Sequence, residues 1–395
     1  MSFPRAPRPL AVLQTCFSPS WGGLEMQALD VSLRLAARGH RLTLACATGT
    51  RLAAEAAQAR LERFELDVHG YLHLGAAWRL AQRIRAGAIQ VVHSQHSRDL
   101  ATVVPALAMA RSHAPLLLSK RMGSYVAKKD PYHRMLYARV AMVLAISEVI
   151  RRNVVVTTPV PAARVATLHD AVDARRFSPA AVDRGAARRA LGFPGDEIVI
   201  GMVGRFSPGK GHEEFLDAAS RLKRTHPEVR FVIVGEASHG EADYERGIRA
   251  RAMELALGDT LTFAGFRPDV PQVMRALDIL AFPSHAEAFG VVLIEAMAME
   301  LPVVSTNCDG VLDIVMDGET GLYVPAKDGA ALAGALARMI ADPLMRARMG
   351  RAGRKRVLER FDDERQTRAI EGFYDAALGR APEPAPESGT PAAVP

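Results

Sequence analysis

What most constrains this chain is an alternation that runs twice. Short apolar runs alternate with amphipathic helical stretches, stop at a polar, Pro-ended segment, and start again. The first series is residues 10–15, "RLTLACAT", "AIQVVHS", "APLLLSKR", "AMVLAIS" and the start of "RVATLHDAVDARRFSP". The second is "EIVIGMVG", "VRFVIVGEA", "LTFAGF", "ILAFPS", "PVVSTN" and "GLYVP". Apolar runs too short for helices, spaced by helical patterns, read as parallel strands buried on both faces in βαβ units. A chain of 395 residues also exceeds what one core supports. The expectation is therefore an α/β protein of two Rossmann-like domains, residues 1–175 and 176–359. A late helix follows over 360–379. The Pro- and Ala-rich residues 380–395 read as a disordered tail.

Charge divides these halves. Residues 1–180 carry 24 Lys and Arg against 11 Asp and Glu, whereas residues 181–395 carry 26 against 32. A basic half reads either as a solvated Arg-rich surface or as a face for an anionic partner: a phosphorylated substrate, an anionic membrane face or nucleic acid. No basic-aromatic RNA signature accompanies the charge, so nucleic acid is not expected. No apolar run is long enough to span a bilayer. Three scattered cysteines, Cys16, Cys46 and Cys308, show neither disulfide nor metal spacing and fit a cytoplasmic setting.

In open parallel sheets, ligands sit at the carboxyl ends of strands, and four segments fall there. "WGGLE" places Gly22 and Gly23 between a strand and a helix, as a plain tight turn or as a place where backbone amides approach an anion. "VGRFSPGKG" puts Arg205 and Lys210 on a glycine-rich loop. It is not a Walker loop, because Gly211 follows Lys210; two solvated cations or a diphosphate clamp are both open. "AEAFGVVLIEAMAM" leads from Glu287 through Phe289 and Gly290 into a run, residues 291–299, whose one polar residue is Glu295. A helix that is apolar all round is normally buried, and a buried carboxylate needs a partner. Vicinal sugar hydroxyls or an internal Arg would both serve. "VVHSQHSRD" places His93 and His96 after a strand, where structural and site roles are both open.

Together these residues resemble the family-4 retaining glycosyltransferases of GT-B fold. The Glu-x7-Glu motif is "EAFGVVLIE", residues 287–295; "VGRFSPGKG" resembles the family's phosphate loop, "WGGLE" its Gly-Gly motif, and "DAVDARRFSP" its interdomain segment. The resemblance covers roughly residues 10–378 and implies two domains facing across a cleft, with the late helix crossing back to the first. It implies that Arg205 and Lys210 hold the donor diphosphate and stabilise the leaving nucleotide. Glu287, with the amides of Phe289 and Gly290, would meet donor sugar or phosphate, and Glu295 the ribose hydroxyls. Gly22 and Gly23 would close over the diphosphate. Phe266 and Arg267 lie where the family meets the nucleobase. His96 is slightly preferred over His93 as the catalytic-site histidine, because the family's His-x-His spacing is altered here.

The implied donor is a UDP- or GDP-sugar, with no cofactor. No Asp-x-Asp occurs, so no metal is expected and the two cations would replace it. No side chain stands out as a covalent nucleophile; the resemblance favours front-face attack by an acceptor hydroxyl. The acceptor would be a glycan or lipid-linked precursor such as lipopolysaccharide core. The stretch 119–143, which mixes Lys and Arg with Tyr, Met and Leu, reads either as an ordinary surface helix-loop or as a contact with the inner face of the cytoplasmic membrane. "DGVLD", residues 309–313, departs from the family's Gly-Gly loop and bears on sugar preference. An epimerase of the same fold, or a non-catalytic relative, is the alternative class.

Overall fold

A computed structural model describes Ala6 and residues 8–68, 73–238 and 240–381. The disordered-tail expectation lies, from residue 382 on, outside them. Two compact units emerge. The first comprises residues 1–145, 153–168 and 366–395, and the second residues 146–152 and 169–365.

The first unit is built on a parallel seven-stranded sheet: β1 (Ala11–Cys16), β2 (Arg41–Ala47), β3 (Arg63–Leu66), β4 (Val91–Ser94), β5 (Leu116–Lys120), β6 (Val140–Ala145) and β7 (Val165–Thr167). Its order is β3-β2-β1-β4-β5-β6-β7. Every residue of β1, β4 and β5 is buried, as helices on both faces of a parallel sheet require. The sequence alone does not suggest β3, a four-residue edge strand, "RFEL", that runs from exposed Arg63 through half-buried Phe64 and Glu65 to buried Leu66 and carries little apolar signal.

The second unit repeats the plan with six parallel strands: β8 (Ile198–Val203), β9 (Val229–Val234), β10 (Leu261–Gly265), β11 (Ile279–Phe282), β12 (Val303–Thr306) and β13 (Gly321–Val324). The order is β10-β9-β8-β11-β12-β13. Its core gathers Ile200, Phe215, Phe231, Leu336 and Met339. Both sheets reverse direction of growth beside their first strand, between β1 and β4 and between β8 and β11. A crevice opens beyond the strand ends at each such reversal.

Two expected boundaries move. The first unit ends at residue 168 rather than near 175. The "DAVD" segment belongs to the second unit, where the Val172 N–H donates to the Phe361 carbonyl (2.9 Å) and Arg354 donates to the Phe177 carbonyl (3.0 Å). The late helix is Asp363–Ala377, not 360–379: Arg360 ends the preceding helix, Pro343–Arg360. The Asp362 carboxylate accepts from the N–H groups of Glu364 and Arg365, which fixes the new start. From Gln366 onward this helix packs in the first unit. Ile370 and Tyr374 enter the core with Leu35, Leu44 and Leu117. Glu371 takes two hydrogen bonds from Arg38, at 2.6 and 2.7 Å, and contacts His40 Nε2 at 2.8 Å.

Candidate functional site

The β8/β11 reversal of the second unit collects most of the expected residues. Beyond β8, the loop runs through Arg205 to Lys210 and enters the helix His212–Leu222. Gly211 caps that helix with φ +85°, and a Cβ there would run into the carbonyl of Pro283. Only glycine lets the cation loop lie directly on the segment beyond β11. The His285 N–H donates to the Gly209 carbonyl at 2.8 Å and fastens the two loops.

Across this seam Lys210 Nζ pairs with Glu287 Oε1. Ser284 Oγ donates to the same oxygen at 3.1 Å. Both members of the pair remain partly open, 28% for Lys210 and 13% for Glu287, so a ligand can reach them. Arg205 is exposed; its guanidinium donates to Ser238 Oγ at 2.9 Å, and no carboxylate pairs with it among the described residues. Below Lys210, His212 stacks on Phe206 with ring centroids 4.6 Å apart. Burial first, then the Lys210 charge, push that imidazole down to about 4, so it is neutral at pH 7.

The Glu-x7-Glu stretch leads into the helix Val291–Ala298, capped by Gly290 at φ +109°. Phe289 is buried, stacked on His169 at 5.5 Å. Among the described residues, no group accepts from the N–H of Phe289 or Gly290. Glu295 is only half-buried, which corrects the expectation of a fully buried carboxylate. Val291, Val292 and Glu295 are the helix's partly open positions and share one face. Gly310 of the "DGVLD" loop donates its N–H to the Glu287 carbonyl at 2.9 Å, so that loop rests on the motif. Asp313 is occupied elsewhere: it accepts from the Glu148 N–H at 2.7 Å and lies 3.3 Å from His169 Nε2. Phe266, beyond β10, is 58% exposed. Arg267 beside it is held by both oxygens of Asp269, at 2.8 and 2.7 Å, which leaves only its outer face for a base.

In the first unit the reversal lies between β1 and β4. Gly22 and Gly23 follow β1, and neither needs glycine for its backbone: Gly22 is extended, and a Cβ on Gly23 would meet nothing within 4 Å. Their contribution is open space. The two histidines separate. His93 is 1% exposed, with Nδ1 2.8 Å from the Tyr374 hydroxyl and Nε2 2.9 Å from Ser119 Oγ. Burial, with the Arg121 charge second, pushes it down to about 3. Of the structural and substrate-binding roles open to His93, the geometry favours the structural one, since both ring nitrogens are used inside the core. His96 keeps its side chain 21% exposed, with Nδ1 3.6 Å from Asp99 Oδ1. Asp99 is buried and accepts from Thr15 Oγ1 and the Phe17 N–H, both at 3.3 Å.

The comparisons with known proteins cover both units. Residues 183–356 match the family described as glycosyl transferases group 1, and residues 21–176 match glycosyltransferase family 4. A D-inositol 3-phosphate glycosyltransferase of Stackebrandtia nassauensis is 31% identical over 337 residues, covering 83% of this chain and 72% of that protein. The chain belongs to the group 1, family-4 glycosyltransferases. A lipopolysaccharide core biosynthesis mannosyltransferase of Rhizobium meliloti, LpsB, is 31% identical over 209 residues, 52% of this chain and 59% of that protein. The fold is shared with Anabaena Alr3699/HepE, solved in complex with UDP-glucose. There the TM-score is 0.79 at 22% identity, over 93% of this chain and all of that one. Two Rossmann-like sheets of GT-B type are thus the architecture of this glycosyltransferase.

Within each unit of the glycosyltransferase, several groups beside the candidate residues carry no signal in the sequence. Ser284, Ser238 and Asp99 are ordinary polar residues until the fold sets them against Glu287, Arg205 and His96.

Proposed function

We propose that this glycosyltransferase is a retaining hexosyltransferase. It moves a hexose from a UDP- or GDP-sugar to a hydroxyl of a glycan or lipid-linked acceptor, in synthesis of a bacterial surface polysaccharide such as lipopolysaccharide core. The observation that carries this reading is the Lys210–Glu287 pair at the β8/β11 reversal, with Arg205 on the same loop. Departure of the nucleotide builds negative charge on the diphosphate. A fixed ammonium, a guanidinium and the amides of Phe289 and Gly290 oppose that charge without reorganising. Arg205 and Lys210 supply what a divalent cation supplies elsewhere, so the transfer proceeds without metal or cofactor. When the diphosphate takes Lys210, Glu287 is released to accept from hydroxyls of the donor sugar, and Glu295 accepts from the ribose. The acceptor hydroxyl attacks from the face the diphosphate leaves, and a leaving phosphate oxygen takes its proton. The UDP-glucose complex of the structural relative and the names of the sequence relatives support this reading.

The test is a panel of UDP-, GDP-, ADP- and CMP-sugars in EDTA, read by nucleotide release and thermal shift. One donor should stabilise the protein and be slowly hydrolysed. Uniform silence across the panel refutes the proposal, and dependence of a response on added Mg²⁺ refutes its metal-free part.

A peripheral membrane contact goes with the lipid-linked acceptor. Among the described residues no helix is long and apolar enough to cross a membrane. The stretch from the end of β5 through the helix Pro131–Ala138, however, exposes Met122, Tyr125, Val126 and Met135 beside Lys129 and Arg134. Apolar side chains among cations suit the anionic headgroup layer. Co-sedimentation with phosphatidylglycerol vesicles, absent with phosphatidylcholine alone and lost in Tyr125→Ser/Val126→Ser, is the expected result. Equal recovery on both lipids, or in both proteins, contradicts it.

A further inference from the structure

An amide opposes developing charge only when its N–H is aimed at that charge. In a planar trans peptide the carbonyl of one residue and the N–H of the next point opposite ways. The peptide from Ala288 to Phe289 is trans, so whatever holds the Ala288 carbonyl also directs the Phe289 N–H. Ser147 Oγ donates to that carbonyl at 2.6 Å, its one hydrogen bond among the described residues. Ser147 lies in residues 146–152, the short segment after β6 that belongs to the second unit. It is fully buried, so water does not compete for its hydroxyl. Its oxygen accepts from the Ile150 N–H at 3.4 Å, at the start of the helix Glu148–Thr157. A serine hydroxyl has a single proton, and here that proton goes to Ala288.

Both flanks of this peptide are fastened independently. Before it, the Glu287 carbonyl accepts from the Gly310 N–H at 2.9 Å. After it, the Phe289 ring stacks on His169 and meets Phe361 edge-on, with centroids 5.5 and 5.8 Å away. His169 is itself held by Asp313, 3.3 Å from its Nε2. The chief freedom left between the flanks is rotation of the 288–289 peptide plane, and the Ser147 hydroxyl removes it. We infer that Ser147 is a positioning residue for sugar transfer: by holding the Ala288 carbonyl it aims the Phe289 N–H at the departing diphosphate. This rests on the transferase reading above and adds to it a side chain that touches no substrate. Without the hydroxyl, a half-buried carbonyl loses its donor and turns toward water, and the N–H on the far side of the plane turns with it.

The experiment compares the full-chain wild type with Ser147→Ala and Ser147→Cys, whose thiol is similar in size but a weaker donor. Donor turnover is measured well below each melting transition. The Phe289 amide signal is followed in protein labelled at phenylalanine nitrogen, with and without UDP or GDP, whichever the donor panel selects. The signal is assigned by its loss in Phe289→Leu. In Ser147→Ala, kcat should fall about 10- to 100-fold while KM for the donor stays within threefold, the cost of a misaimed group rather than a lost binding contact. Ser147→Cys should fall between Ser147→Ala and the wild type. Nucleotide should move the Phe289 signal in the wild type and move it less than half as far in Ser147→Ala. Should Ser147→Ala not fold, Ser147→Cys carries both readings. A kcat within threefold of wild type, or a Phe289 signal that moves as in the wild type, overturns the inference. So does a loss of kcat that follows melting temperature alone, which marks a merely structural serine. A wild type silent toward every donor overturns the transferase reading and this inference with it. An active wild type with an indifferent Ser147→Ala overturns this inference alone.

Discussion

Lys210→Ala is expected to lower kcat/KM for sugar transfer by about 100- to 1,000-fold, the usual effect of removing one fixed group that opposes charge developing in a transition state. The loss should appear mainly in kcat, because the diphosphate gains charge as the bond breaks. Thermal stability should barely change. The Lys210–Glu287 pair is partly solvated, so screening leaves little net stabilisation to lose. Glu287→Ala makes the complementary case. It frees Lys210 to bind the nucleotide alone, so UDP or GDP affinity should hold or rise while transfer falls. The decisive readings are steady-state kinetics beside calorimetric nucleotide affinity for both variants. A Lys210→Ala enzyme within threefold of wild type refutes the role given to this lysine. A Glu287→Ala enzyme that loses nucleotide affinity as completely as Lys210→Ala refutes the division of labour between the two.

That division was not legible in the sequence, although both residues were. The doubled strand–helix alternation and the loops at the strand ends were readable because a buried parallel strand is a short apolar run and a loop is glycine-rich. The pairing is different in kind. Lys210 and Glu287 stand 77 residues apart, and only the β8/β11 adjacency brings their loops together. The strand β3 escaped for the opposite reason, since an edge strand with alternating Arg and Glu lacks the apolar run. Glu295 was misjudged as buried because composition counts how apolar a helix is, not which face its neighbours leave open.

The two histidines divide by burial, and substitution should divide them again. His93→Ala should destabilise the first unit by about 2–4 kcal/mol. It opens a cavity and strips the Tyr374 and Ser119 hydroxyls of a buried partner. The signature is a fall of several degrees in the first unit's melting transition, with activity at low temperature largely kept. Acid sensitivity carries a second mark. In the folded chain His93 titrates near 3, whereas an unfolded histidine titrates near 6.5, so between those values the unfolded state holds the extra proton. Stability from this group is full above the unfolded value and is lost as pH falls toward 3. His93→Ala should therefore flatten the decline of the first unit's melting temperature below about pH 6.5. His96→Ala should do the reverse. Its side chain is partly open and leans on Asp99 rather than filling the core, so melting should stay near wild type. Turnover should drop about 10- to 100-fold if its imidazole positions the reacting sugar, since small errors of placement cost that much. A stable, inactive His93→Ala protein, or a fully active His96→Ala one, would exchange the two assignments. The Asp99→Asn variant would then show which imidazole Asp99 orients.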